Sequence, residues 1–246
     1  MIIKSHAYPR AALIGNPSDG YFGKTIAFTF ANFQADVTVY DTPVLEILPA
    51  RRDHSRFQSL AELASDVRAY GYYGGIRLIK ATLKRFYDYC TEHDLPLHDR
   101  TFSVRYHSSI PPHLGLAGSS AIITACMRAL MGFYGVEIPK PVLAGLVFSV
   151  EIDELGIGGG LQDRVAQVYE GIVHMDFDRE HMEREGYGIY TPLEPDHLPN
   201  LYIAFNTTLA ENTEVVHNNL RYRWDNGDEA VHDAMRGFAA LTDRFR

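Results

Sequence analysis

The side chains of this 246-residue chain that could do chemistry gather in three short stretches. The first, HLGLAGSSAIITACMRAL from His113 to Leu130, opens glycine-rich and closes in the periodicity of an apolar helix. Small residues at Gly115, Leu116, Ala117, Gly118, Ser119, Ser120 and Ala121 keep the backbone N–H groups accessible. A helix N-terminus adds unsatisfied amides and a partial positive charge, worth about 0.3–1 kcal/mol per anionic contact. That combination suits a polyphosphate. Ser120 offers a hard hydroxyl oxygen of the kind magnesium takes beside a carboxylate and substrate phosphates. Taken alone, the same loop more often makes an N-cap serine in a tight turn.

The second stretch supplies carboxylates. Glu151 closes one helical pattern and Asp163 opens another, with four glycines in the interval, enough to bring both acids into one cleft. One would hold metal while the other takes a proton. Either is equally at home as a helix-dipole partner or on a solvated face. The third stretch, YPRAALIGNPSDGYFG, contributes Arg10, Asn16, Ser18 and Asp19. Short polar side chains at the end of a strand suit sugar hydroxyls, and they also make ordinary turns.

Other glycine-rich chemistries fail on spacing. A Walker loop needs a lysine after its last glycine, and here Gly118 is followed by Ser119, Ser120 and Ala121. A dinucleotide fingerprint begun at Gly156 and Gly158 wants glycine where the chain has Leu161. No GxSxG elbow is present, and His93 and His98 lack partners at zinc-site spacing. A net charge of −8 with scattered arginines excludes general nucleic-acid binding, so an anionic ligand must be held locally.

The elements that must position these residues follow from periodicity. RAALIG reads as a strand, KTIAFTFANFQADVTVY as two more, and TFSVRYHSSIP as another. Helical patterns cover SLAELASDVRAYG, GGIRLIKATLKRFYDYC, about Ser119 to Tyr134, and Pro141 to about Leu155. A helix then begins near Asp163, IVHMDF is a strand, 180–200 is loop or hairpin, LYIAFN is a strand, and two helices close the chain. Strands and helices mix without regular βαβ alternation, which predicts an α+β fold. With 46% hydrophobic residues the chain can bury a sizeable core, as one large domain or two joined ones. The run near Val142–Val150 is too short to span a membrane and the N-terminus lacks signal-peptide order, so no membrane partner and a cytoplasmic location are expected. Cys90 and Cys126 fall in helical patterns as buried thiols.

The three stretches, in this order, resemble the GHMP kinase superfamily. Arg10 with LIG and Asp19 looks like its first motif, Pro111 followed by GLAGSSA like its second, and Glu151 with a glycine-rich loop and Asp163 like its catalytic segment. Within it, GNPSDGYFG, GYYGG, LHDRTFSV, ELGIGGGLQDRVAQVYEG and GIYTPL are similar to the glucuronokinases. The resemblance implies a GHMP fold with a ribosomal protein S5 domain 2-like domain over 1–175 and an incomplete ferredoxin-like domain over 176–246. It also implies transfer of the ATP γ-phosphoryl group to the anomeric hydroxyl of D-glucuronate.

By the same carry-over Asp163 orients or deprotonates the hydroxyl and Arg10 sits near the transferred group. Pro111 and residues 115–121 cradle ATP, Ser120 and Glu151 bind Mg2+, and Asn16, Ser18 and Asp19 hold the sugar. Arg164, with Arg10, is the candidate for the substrate carboxylate, and Tyr72 and Tyr73 for stacking on the ring. The rival readings are a kinase for galactose, galacturonate or a heptose phosphate, and a catalytically silent sugar- or nucleotide-binding protein. A third glycine-rich motif usual near the C-terminus is not found, so a fragment or shortened form is expected, with nucleotide binding intact and turnover reduced. The oligomeric state stays open.

Overall fold

The structure is a computed structural model that describes residues 1–50, 53, 58–61, 63, 64, 74–112, 114–195, 198–204 and 213–246. Two four-stranded sheets form its frame. The first has the order β1-β4-β6-β5, built from β1 (Ile2–Ala7), β4 (Ala35–Asp41), β6 (Phe102–Ser108) and β5 (Glu46–Leu48). Its first three strands are antiparallel and β5 joins parallel to β6. Val37 opposes Tyr106 and Val39 opposes Val104, and all four side chains are buried on one face. The pleat thus turns sequence alternation into a single apolar surface. Strand β1 is not among the expected elements: Lys4 and His6 interrupt its apolar residues, and pairing with β4 decides its conformation.

The second sheet has the order β2-β3-β7-β8, from β2 (Arg10–Ile14), β3 (Lys24–Thr29), β7 (Ile172–Asp176) and β8 (Ile189–Leu193), all antiparallel. The expected loop or hairpin over 180–200 contains β8 and a short helix, Arg179–Glu185, capped by the Asp178 carboxylate on His181 N–H. The strand expected at LYIAFN has no regular structure over 201–204, and the rest of that stretch lies outside the described residues. So do Tyr72 and Tyr73, and most of the helix expected at SLAELASDVRAYG.

Helices fill the space beside the sheets. In chain order, α1 (Gly75–Glu92) packs on α2 (Gly118–Tyr134), and α2 lies across β1 and β4. Ala121, Ala125 and Ala129 on α2 are fully buried, which lets its backbone approach its neighbours closely. Helix α3 (Lys140–Ser149) starts with Pro141 in its first turn and widens into a π-helical turn, Val150–Glu154. Such turns often mark functional positions. Helix α4 (Gln162–Tyr169) follows the glycine-rich loop and packs against α2, α3, β3 and β7. The short helix α5 is Arg179–Glu185, and α6 (Thr213–Asp225) and α7 (Glu229–Phe245) close the chain. Helix α7 docks on β2 and β3: Thr242 donates to the Lys24 carbonyl at 3.0 Å, in a space that Gly15 leaves open. Cys90 and Cys126 are free and buried. No helix among the described residues is long and apolar enough to cross a membrane.

Candidate active site

Four pieces of backbone converge at one place: the start of α2, the start of α4, the π-helical turn, and the 3-10 turn Ser18–Tyr21 between β2 and β3. Glu151 sits in the π-helical turn, fully buried. Its Oε1 accepts from the Ser119 hydroxyl at 2.6 Å, and its Oε2 accepts from Arg164 Nε at 2.8 Å and from Arg164 Nη2. Arg164 Nη1 donates to the Gly160 carbonyl at 2.5 Å and stands 3.6 Å from Asp163 Oδ2. The other oxygen of Asp163 accepts from Arg10 Nη2. Ser119, Glu151, Arg164, Asp163 and Arg10 therefore form one unbroken polar chain.

A second chain runs beside it. Gln162 donates from its amide to Asp19 Oδ1 at 3.0 Å and to Asn16, and its backbone N–H reaches Asp19 Oδ2 at 3.3 Å. Burial, reinforced by the nearby charge of Asp163, raises the Asp19 carboxyl from 3.8 to about 6. Gly160 makes this approach possible, because a Cβ there would lie 1.9 Å from Asp19 Oδ2. Glycine spacing in the loop is thus a packing requirement of the acid it faces.

The loop ahead of α2 turns through two left-handed residues. Gly115 has φ +68° with open space on its Cβ side, and Ala117 takes the left-handed conformation, φ 58°, as the residue before α2. Leu116 is buried and its carbonyl accepts from Arg10 N–H at 3.2 Å, tying the loop to β2. Pro111 follows the buried Ile110, whose side chain lies against the Cβ side of Gly118. No side chain caps α2, so its first amides have no side-chain partner.

Three residues sit differently from expectation. Ser119, not Ser120, meets Glu151; Ser120 is buried and its hydroxyl donates to the Ala117 carbonyl at 3.1 Å. Ser18 is also buried, and its hydroxyl closes the 3-10 turn by donating to Lys24 O at 2.9 Å and accepting from Lys24 N at 3.1 Å. Arg164 is turned inward with its fork spent on Glu151 and Gly160 rather than presented to a substrate carboxylate. Two residues escaped the sequence reading altogether, Gln162 and Gln167. Their signal was placement: one directly precedes Asp163, the other lies one helical turn beyond it.

A mixed α+β frame brings two helix N-termini to a cluster of acids and guanidinium groups. Comparison with known proteins identifies the family. The profile of the GHMP kinases N terminal domain matches residues 77–171. Glucuronokinase 1 of Arabidopsis thaliana is 43% identical over 247 residues, covering 99% of this chain and 68% of its own. A solved D-glycero-D-manno-heptose 1-phosphate kinase from Bacteroides thetaiotaomicron superposes with a TM-score of 0.59 at 22% identity, over 79% of this chain and 60% of that one. A Lactococcus lactis galactokinase complexed with galactose superposes with a TM-score of 0.58 at 12% identity, over 92% of this chain and 58% of that one. The chain belongs to the GHMP kinases and is an ATP-dependent kinase.

Proposed function

We propose that the chain transfers the γ-phosphoryl group of ATP to the anomeric hydroxyl of D-glucuronate, giving D-glucuronate 1-phosphate and ADP. The observation that carries this reading is Asp163 held between two guanidinium groups. The sugar identity draws its support from the likeness to the glucuronokinases along nearly the whole chain.

In the reaction the anomeric oxygen attacks the γ-phosphorus, the bond to the bridging oxygen breaks with its electron pair leaving on ADP, and the hydroxyl proton passes to Asp163. The transition state is loose and its charge spread out, so positioning and fixed donors matter more than base strength. Arg10 orients the Asp163 carboxylate and brings a cation to the transferred group. The amides at the start of α2 hold the phosphates. Asp19, with Asn16 and Gln162, faces the sugar hydroxyls.

Among the described residues no group of three or more His, Cys, Asp and Glu side chains could cage a metal ion. Mg2+ keeps few protein ligands and takes the rest from phosphate and water. Glu151 Oε1 and the Ser119 hydroxyl, 2.6 Å apart, would be the hard oxygens to hold it. The cation would neutralise phosphate charge when bound. The proposed setting is the cytoplasm, with sugar acid and ATP as small-molecule partners and residues 1–175 as the ATP-binding domain.

Incubation with magnesium-ATP and D-glucuronate, set against galactose, galacturonate and a heptose phosphate, tests the proposal. Phosphorus and carbon NMR should place the new ester on C1 of glucuronate; an ester elsewhere, or preference for another sugar of the panel, refutes it.

A further inference from the structure

We propose that Gln167 is a positioning residue for phosphoryl transfer: its buried side-chain amide locks the phosphate-facing end of α2 to the helix that carries Asp163. Gln167 is fully buried on α4. Its Nε2 donates to the Ala117 carbonyl at 2.8 Å and to the Tyr8 carbonyl at 3.1 Å. Both partners are acceptors, so the amide nitrogen must be the atom that faces them. One side chain thus spends both of its N–H bonds on two segments that are distant in sequence and adjacent in the site.

Each segment matters to the reaction. Ala117 holds a left-handed backbone, φ 58°, which a residue with a Cβ adopts only when its surroundings enforce it. Its carbonyl shares one planar peptide group with the N–H of Gly118, the first residue of α2. In a trans peptide the two point in opposite directions. Gln167, joined by the Ser120 hydroxyl and the Ala121 N–H at 3.1 Å each, draws the carbonyl inward and so turns the Gly118 N–H outward, toward the place where a phosphate would sit. Tyr8 lies two positions before Arg10, whose own N–H bonds Leu116 O at 3.2 Å, so the second hydrogen bond sets the strand that delivers Arg10.

The tie also sets a distance. Asp163 and Gln167 are four positions apart on one helix and so share a face. Gln167 has its own backbone anchored, its carbonyl accepting from Arg128 Nη2 at 3.0 Å. Helix α4 consequently carries the proton acceptor in its first turn and, one turn later, the bracket that fixes the phosphate loop relative to it.

The role assigned to Asp163 rests on the kinase reading, so the primary measurement is ATP affinity without sugar. Gln167→Met keeps the volume and removes both donors. ATP Kd should weaken by roughly 5–10-fold and kcat should fall by about 10–100-fold, with the sugar KM within about twofold, because a small misplacement of reacting groups is costly. Gln167→Glu should be impaired near neutral pH and recover ATP affinity in acid, where the protonated carboxyl regains one donor. Wild-type ATP affinity in Gln167→Met overturns the proposal. Should that variant not fold, absence of acid recovery in Gln167→Glu overturns it equally. ATP constants that shift as predicted in a chain inactive on glucuronate uphold Gln167 while refuting the substrate assignment.

Discussion

Replacing Arg164 by Met should show how much stability rests on its buried pair with Glu151. Glu151 has no exposed surface and Arg164 is 3% exposed, so neither charge is compensated by water. The substitution removes the two bonds to Glu151 Oε2 and the bond to Gly160 O, leaving the acid with Ser119 as its hydrogen-bond donor. Removing one partner of a buried ion pair typically costs about 3–5 kcal/mol, because an uncompensated charge is left in a low-dielectric interior. The methionine side chain recovers about 1 kcal/mol of that by packing where the arginine stem lay. A loss of about 2–4 kcal/mol at neutral pH is therefore expected in urea unfolding.

Adding Glu151→Gln should restore most of the loss, since neutralising both members of a buried pair is often nearly free. A single Arg164→Met change costing under about 1 kcal/mol, or a double variant no more stable than the single, would refute the reasoning.

Asp19, raised to about 6 from 3.8, binds its proton more tightly in the native state. Its contribution to stability is thus fullest in acid and declines as pH rises to about 6, by about 3 kcal/mol in all. Asp19→Asn should flatten that slope in urea titrations, and an unchanged slope would count against a buried, proton-holding carboxyl. Gly160→Ala would put a methyl group 1.9 Å from Asp19 Oδ2; a loss of about 1–3 kcal/mol and weaker sugar binding by calorimetry are expected. Asp163→Asn should lower kcat by about 100-fold or more with ATP affinity nearly unchanged, measured by coupled ADP release; retention of full turnover removes Asp163 from the mechanism.

Much of the frame could be read from the chain because each element carries its own pattern. The apolar period of α2, the proline that opens α3 and the alternation in β3, β4 and β6 are local signals, and the structure follows them. Strand β1 and the short elements after Asp178 were less legible, since partners distant in sequence decide them: β4 for the first and β7 for β8. The choice of serine was a matter of angle. Ser119 and Ser120 are adjacent, yet the helix turns successive side chains about 100° apart, sending one hydroxyl to Glu151 and the other back to the Ala117 carbonyl. Composition cannot distinguish them; the direction of α2 relative to the π-helical turn does.

The same rotation explains why Arg164 faces a protein acid. Gln162, Asp163 and Arg164 are consecutive in the first turn of α4 and fan out to three partners: Asp19 with Asn16, Arg10, and Glu151. Arg164 thus spends its fork on Glu151 and Gly160 while its Nη1 stays 3.6 Å from Asp163, an arrangement that adjacency in sequence does not reveal. What the fan achieves is electrostatic. Three acids, at positions 19, 151 and 163, share two guanidinium groups, at 10 and 164, so the cluster carries one surplus negative charge when all are ionised and none when Asp19 holds its proton. A polyphosphate approaching the amides of α2 meets less repulsion in the second state. The pH at which Asp19 titrates should therefore shift upward when ATP binds, and an NMR titration of its carboxyl carbon with and without nucleotide would read that coupling directly.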